Sequence, residues 1–115
     1  MNLVILMGRL TGDPEIINTD STKIAKYSLA IDRATKEKQT DFIPCTAFGK
    51  NAEFVESYLK KGTKITIEGR LQSGSYEKDG RKVKTYEVVV SRHEFCEKAE
   101  KTNGFANATD EGLPF

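Results

Sequence analysis

From Lys23 to Asp32 apolar residues return at every second position. Ala25, Tyr27, Leu29 and Ile31 fall on one face, and Lys26, Ser28 and Asp32 on the other. That period of two predicts a strand with one covered face. Asn2–Leu10 reads differently, because Leu3, Val4, Ile5, Leu6 and Met7 follow one another without interruption. Such a run predicts a strand covered on both faces, ended by the turn residues Thr11-Gly12-Asp13-Pro14. Arg33–Gln39 is polar and basic, a loop, and Thr40–Phe48 reads as a third strand.

Helical spacing marks Lys50–Lys61. Phe54, Val55, Tyr58 and Leu59 make one stripe while Glu53 and Glu56 look outward. Lys60 and Lys61 suit the negative end of that helix, and Gly62 suits a left-handed cap. Lys64–Tyr76 and Lys82–Val90 are two long strands joined through Lys78-Asp79-Gly80-Arg81, where Asp-Gly favours a type I′ hairpin. Beyond Phe95 the periodicity stops, and Thr102–Gly112, rich in Asn, Gly, Ala and Thr, reads as flexible linker.

Three strands, a helix and two strands predict an all-β fold: a five-stranded OB-fold barrel with one helix between strands three and four. Surfaces of that fold bind oligonucleotides or oligosaccharides. The expected organisation is an OB domain over 1–99, a short linker over 100–109 and an acidic tip over 110–115, the last two forming a short flexible C-terminal tail.

A chain of 115 residues fits one domain able to bury a single core. No stretch approaches the ~20 apolar residues of a membrane helix. The apolar start meets its first charge at Arg9, with no basic segment ahead of it, so the expected location is cytoplasmic, at the nucleoid. Cys45 and Cys96 lack metal-ligand spacing and read as buried thiols. His93 reads as a surface residue. One histidine, two separated cysteines and dispersed acids offer neither an activated nucleophile nor a carboxylate cluster, so no catalysis, metal or cofactor is expected.

Net charge is +1, which alone argues against a nucleic-acid binder. Its distribution changes that. Glu94 to Phe115 holds five acids and two bases, a balance of −3, leaving sixteen bases and twelve acids, +4, over residues 1–93. A mildly basic body carries an acidic tail.

Strand parity makes the third strand the most informative segment. Phe42, Thr46 and Phe48 share one side; Ile43, Cys45 and Ala47, small or aliphatic, share the other and suit an interior. Two phenylalanines are then left on the outer face, where they need a cover. Tyr76 adds a third aromatic near the hairpin's far end, with Lys50, Arg70, Lys78, Arg81, Lys82 and Lys84 as nearby bases, and Lys36 and Lys38 in the basic loop. Rings stack on bases while cations follow phosphates, the combination that serves single-stranded nucleic acid.

Several segments carry a resemblance. Asn2-Leu3-Val4-Ile5-Leu6-Met7-Gly8-Arg9-Leu10-Thr11-Gly12-Asp13-Pro14-Glu15 resembles the opening of bacterial single-stranded DNA-binding proteins. Thr40-Asp41-Phe42 leading to Ala47-Phe48-Gly49-Lys50-Asn51-Ala52-Glu53 is similar to their third strand and helix entry. Tyr58-Leu59-Lys60-Lys61-Gly62, Ile67-Glu68-Gly69-Arg70-Leu71 and Tyr86-Glu87-Val88-Val89-Val90 follow in the same order, to about Phe95. The resemblance implies sequence-independent binding and protection of single-stranded DNA in replication, recombination and repair. It implies stacking by Phe42, Phe48 and Tyr76 and phosphate contacts from Lys50 and Lys61, with Arg9 and Arg70 as further candidates. It also implies a homotetramer, or at least a dimer through the first strand. The chain departs from the family pattern in having no aromatic from Ile31 to Lys36, a proline at position 44 and no tryptophan, which points to fewer or weaker contacts per subunit. Pro44, without a ladder donor, implies an edge or a bulge. An OB-fold RNA- or protein-binding accessory of primosomal type is the alternative reading.

The ending Asp110-Glu111-Gly112-Leu113-Pro114-Phe115 resembles the family's terminal peptide. Acidic side chains, apolar surface and the carboxylate on Phe115 suit a pocket that pairs bases with a hydrophobic hole, and so imply replication, recombination and repair proteins as partners. Asn103–Thr109 spans at most ~25 Å when extended, which limits the tip's reach.

Overall fold

The two long strands that flank the Asp-Gly turn organise everything else. The computed structural model describes residues 1–96. In chain order the elements are β1 (Val4–Leu10), β2 (Glu15–Asn18), β3 (Lys23–Asp32), β4 (Thr40–Phe48), α1 (Lys50–Tyr58), β5 (Lys64–Lys78) and β6 (Arg81–Phe95). β5 and β6 pair antiparallel along their length, and Asp79 and Gly80 turn between them at φ 52° and 75°, the expected type I′ conformation.

Strand order is β1-β5-β6-β4-β3-β2, and β1 also pairs with β3, so five strands close into a ring with β2 outside it on β3. Closure uses one parallel contact, Cys45↔Val88 and Thr46↔Val89, between β4 and β6. Since β6 meets β4 only there, Pro44 stands where that ladder ends, an edge position that tolerates a missing N–H. The helix between the third and fourth strands of the ring is the OB arrangement.

Inside the ring Leu29, Cys45, Ile65, Ile67 and Val88 are fully buried, joined from α1 by Val55 and Ala52. Each such aliphatic side chain contributes about 1.5–3 kcal/mol relative to exposure. A bulge sets the geometry of one wall. Glu68 pairs with Arg92 and Gly69 with Val90, so Ser91 is the extra residue on β6. Gly69 is required there, because a Cβ would lie 2.2 Å from the Val89 carbonyl oxygen.

Several expectations are corrected. β1 is covered on one face only: Gly8 and Leu10 are buried, while Ile5, Met7 and Arg9 on the strand and Leu3 just before it are exposed. β2 was not expected; four residues, Glu15–Asn18, are too few to show a period. The helix stops at Tyr58, three residues early, because Leu59 turns extended (φ −106°, ψ 140°) and packs into the core. Lys60 and Lys61 therefore lie beyond the last turn. Gly62 does take the left-handed conformation at φ 89°, and its N–H donates to the Leu10 carbonyl at 2.9 Å. From the stripe, Val55 and Leu59 are buried, Phe54 is half-buried and Tyr58 is exposed. β6 continues to Phe95, five residues past Val90.

The largest correction is His93. Before the bulge Val88 and Val90 point inward; the extra residue flips the parity, so His93 opposes buried Ile67 and faces in. Its Nε2 lies 2.8 Å from the Tyr27 hydroxyl and its ring stacks on Phe54 at 5.2 Å and 24°. Burial drives its pKa down to about 4, and Nδ1 has no hydrogen-bond partner among the described residues. Cys45 is buried as expected, and burial with the nearby Glu87 charge pushes its thiol up to about 12, so it is held as an inert thiol. Cys96 is only half-buried, with Sγ 2.9 Å from the Thr66 hydroxyl.

Candidate nucleic-acid interface

β4 presents the alternation expected of it. Cys45 and Ala47 are buried, while Phe42 and Phe48 are 66% and 44% exposed on the opposite side. Local sequence produces this: a regular strand turns successive side chains to opposite faces, and the small inward residues let β4 lie close over the core. Thr46 stands between the rings but is buried, its hydroxyl donating to the Glu87 carboxylate on β6.

Register carries the outer face across the strands. Thr46 pairs with Val89, and Val89 with Arg70, so Arg70 shares the outer face with the phenylalanines. Alternation along β5 then puts Tyr76, 51% exposed, on that same side. On the other flank Phe42 pairs with Ala30 and Ala30 with Arg9, a single cross-strand row. Strands lie ~4.8 Å apart, so the Arg9 backbone sits about 10 Å from that of Phe42. Arg9 also donates from Nη1 to the Gly62 carbonyl at 3.0 Å. Lys50 opens α1 two residues after Phe48.

Other candidates fall elsewhere. Lys82 opposes Glu77 and Lys84 opposes Ser75, on the face of the hairpin that carries Leu71 and Tyr86, opposite to Tyr76. Lys61 lies at the end of the ring, where its backbone N–H donates to Asp13 at 2.9 Å. Arg33 of the basic loop is engaged by Asp41: Nε donates to both carboxylate oxygens at 3.0 Å and Nη2 to Oδ1 at 2.7 Å, while Nη1 donates to Gln39. This pairing raises the Arg33 pKa and holds the Asp41 carboxyl below its ordinary value, hydrogen bonding being the larger cause for both. Lys36 and Lys38 remain exposed in the loop that this clamp closes.

Sequence reasoning missed two residues of the face. Lys26 opposes Thr46 and so adds a base to the central row, a position its polar place in the β3 alternation already signalled. Glu87 had no signal, since its importance comes from pairing with Thr46 forty-one positions away. Among the described residues no group of three or more His, Cys, Asp or Glu is arranged to hold a metal ion. No helix there is long and apolar enough to cross a membrane. The linker and the tip Asp110–Phe115 lie outside the described residues.

A closed ring of five strands with a helix between the third and fourth defines the class: an OB domain, here with exposed aromatic rings set among bases on its outer face. The comparisons give the family. Residues 1–96 match the Single-strand binding protein family. The single-stranded DNA-binding protein of Fusobacterium nucleatum is 45% identical over 97% of this chain and 77% of its own length. That of Clostridium perfringens is 38% identical over 100% of this chain and 81% of its own. A solved structure of Plasmodium falciparum SSB in complex with ssDNA shares the fold, with a TM-score of 0.77 over 84% of this chain and 96% of that one at 22% identity. The chain belongs to the Single-strand binding protein family.

Proposed function

We propose that this chain binds single-stranded DNA by stacking, tolerant of sequence, and so protects it during replication, recombination and repair. The observation that carries this reading is the outer face of β4, where Phe42 and Phe48 stay exposed among Arg9, Lys26, Lys50 and Arg70 with Tyr76 on the same side. Rings left in water without a protein cover are costly surface, and a base stacked on each offsets that cost. Phe42, Phe48 and Tyr76 stack; Arg9, Lys50 and Arg70 take phosphates. Lys82, Lys84 and Lys61 join only if the strand wraps past the hairpin and the ring end. The protein performs no catalysis and works in the cytoplasm.

Self-assembly is the second part of the reading. Leu3, Ile5 and Met7 form an exposed aliphatic row on the outer face of β1, which a second copy covers in a dimer or homotetramer. Several rings per particle multiply modest contacts through effective concentration. The tip Asp110–Phe115 recruits replication and repair proteins, a role supported by its acidic and apolar composition.

Competition among oligo(dT), RNA of equal length and duplex DNA in one gel tests the function: oligo(dT) should win, and preferential binding of RNA or duplex would overturn it. Deleting Asp110–Phe115 should abolish capture of replication proteins from a bacterial lysate and leave oligo(dT) affinity unchanged or raised, since acidic groups compete with phosphate at low salt. Identical captured sets for both forms would remove the recruitment role.

A further inference from the structure

The connection between β3 and β4 is tied at its neck by polar contacts. Asp32 and Thr40 form the last ladder pair, and the Thr40 hydroxyl donates to the Asp32 carboxylate at 3.2 Å. Next to them the Arg33 N–H donates to the Gln39 carbonyl at 2.9 Å, which leaves residues 34–38 as the loop proper. Every residue from 32 to 40 is exposed, so packing does not fix the shape of the loop. A cavity of about 260 Å³ lies at its base, lined by Asp32, Arg33, Thr35, Lys38, Gln39 and Thr40. The Arg33 guanidinium bridges this neck, holding Asp41 by three hydrogen bonds and the Gln39 side chain by a fourth.

Asp41 opposes Ile31 and falls on the face of β4 opposite to Phe42, so the guanidinium paired with it stands behind that ring rather than beside it. Lys36 and Lys38 differ. Both are exposed, and no hydrogen bond or ion pair engages them among the described residues. An exposed ion pair adds little to global stability. A short surface loop opens at a free energy near zero, however, so even a weak clamp shifts how often it is closed. We infer that Arg33 is a positioning residue for single-stranded DNA: forked onto Asp41 and Gln39, it closes the loop and presents Lys36 and Lys38 to phosphate next to Phe42. The inference rests on the single-stranded DNA reading above and gives the basic loop its part in that reading.

Two substitutions set geometry against charge, and both side chains are well exposed, 51% and 39%, so the variants keep the core intact. Asp41→Asn removes an acid near the path of the strand. By charge alone it should tighten oligo(dT) binding; loss of the clamp should weaken it instead. Arg33→Lys keeps the charge but cannot fork across two partners, and should weaken binding as well. If the unclamped loop is closed about a third of the time, each loss is about threefold. Fluorescence anisotropy with labelled oligo(dT) over a salt series reads affinity and slope on the full chain. In the unmodified protein Lys36→Ala and Lys38→Ala should each flatten the log–log slope by up to about 0.7. In the Asp41→Asn background each should change it less, because the loop no longer holds them in place. Tighter or unchanged binding in Asp41→Asn would overturn the inference, and so would unchanged binding in Arg33→Lys. Equal lysine effects in both backgrounds would overturn it too, making the pair a support of β4 and not of the loop. Each of those outcomes leaves single-stranded DNA binding standing. Failure of the folded, unmodified protein to bind oligo(dT) would remove the function and this inference together.

Discussion

The outer faces of β1 and β4 both leave large apolar side chains in water, yet their chemistry differs. On β1 the row is aliphatic, Leu3, Ile5 and Met7, and the strands beside it bring Thr66, Glu68, Arg92 and Glu94, whose charges nearly balance and include an Arg92–Glu94 ion pair. On β4 the exposed groups are rings; the row through Phe42 brings Arg9, and the row through Thr46 between the rings brings Lys26 and Arg70. Aliphatic surface offers no π-face for a base, and balanced charge attracts no polyanion. Exposed hydrophobicity alone therefore does not name a ligand; the chemistry of the side chains and the sign of their neighbours do.

A charge on β1 breaks this comparison most directly. Ile5→Glu places an unpaired carboxylate in the proposed assembly interface, which should cost about 3–5 kcal/mol per interface and shift the particle toward monomer in sedimentation velocity. The monomer should still bind a short oligo(dT), because the rings lie on another strand. Unchanged mass would return the β1 row to plain solvent-exposed surface.

Phe48→Ala and Tyr76→Ala attack the other face. Each should weaken oligo(dT) binding by roughly 1–3 kcal/mol with little dependence on sequence, and neither should alter the oligomeric state. Loss of folding in circular dichroism, or affinity equal to that of the parent, would make these rings structural.

His93 belongs to neither face, and so provides a control that strikes both at once. Its folded pKa of about 4 lies below the ordinary 6.5, so the unfolded chain binds the proton more readily. Stability contributed by neutral His93 is complete above pH 6.5 and declines as pH falls from about 6.5 to about 4. The loss should reach about 1–2 kcal/mol, allowing for solvent screening of a half-buried ring. Urea midpoints at pH 7 and pH 4.5 measure it, with His93→Gln as the reference that lacks this slope and retains the carboxylate contribution. Equal pH dependence in the two proteins would show that the ring is solvated.

The smallest effect sharpens the electrostatic half. Arg9→Ala and Arg70→Ala should each flatten the log–log salt dependence of oligo(dT) binding by about 0.7, one phosphate contact. Lys82→Ala and Lys84→Ala, on the reverse face of the hairpin, should change it less with an oligonucleotide too short to wrap. The opposite ranking would move the strand's path onto that reverse face.

Local rules decided what could be read from the residues in order. Period two placed Phe42 and Phe48 opposite Cys45 and Ala47, and Asp79-Gly80 announced the hairpin, because side-chain direction and turn type depend on a few adjacent residues. The order of strands and helix was legible for the same reason, since each long element carries its own period. β2 escaped because four residues carry no period, and its strand state comes from pairing with β3. The helix end escaped because Leu59 is drawn into a core assembled by other strands. His93 shows the limit most sharply. Its burial follows from a bulge at Ser91 that answers the close approach of Gly69 to Val89, and one inserted residue reverses every later side chain on β6. Likewise Arg33 is spent on Asp41, Arg9 stands two strands from Phe42, and Glu87 meets Thr46 only where β6 closes the ring beside β4. Sequence by itself determined which elements form and which face of each is apolar, since those depend on neighbours along the chain. Tertiary structure decided which charges share a face with which rings, since that depends on register and closure between strands far apart in sequence.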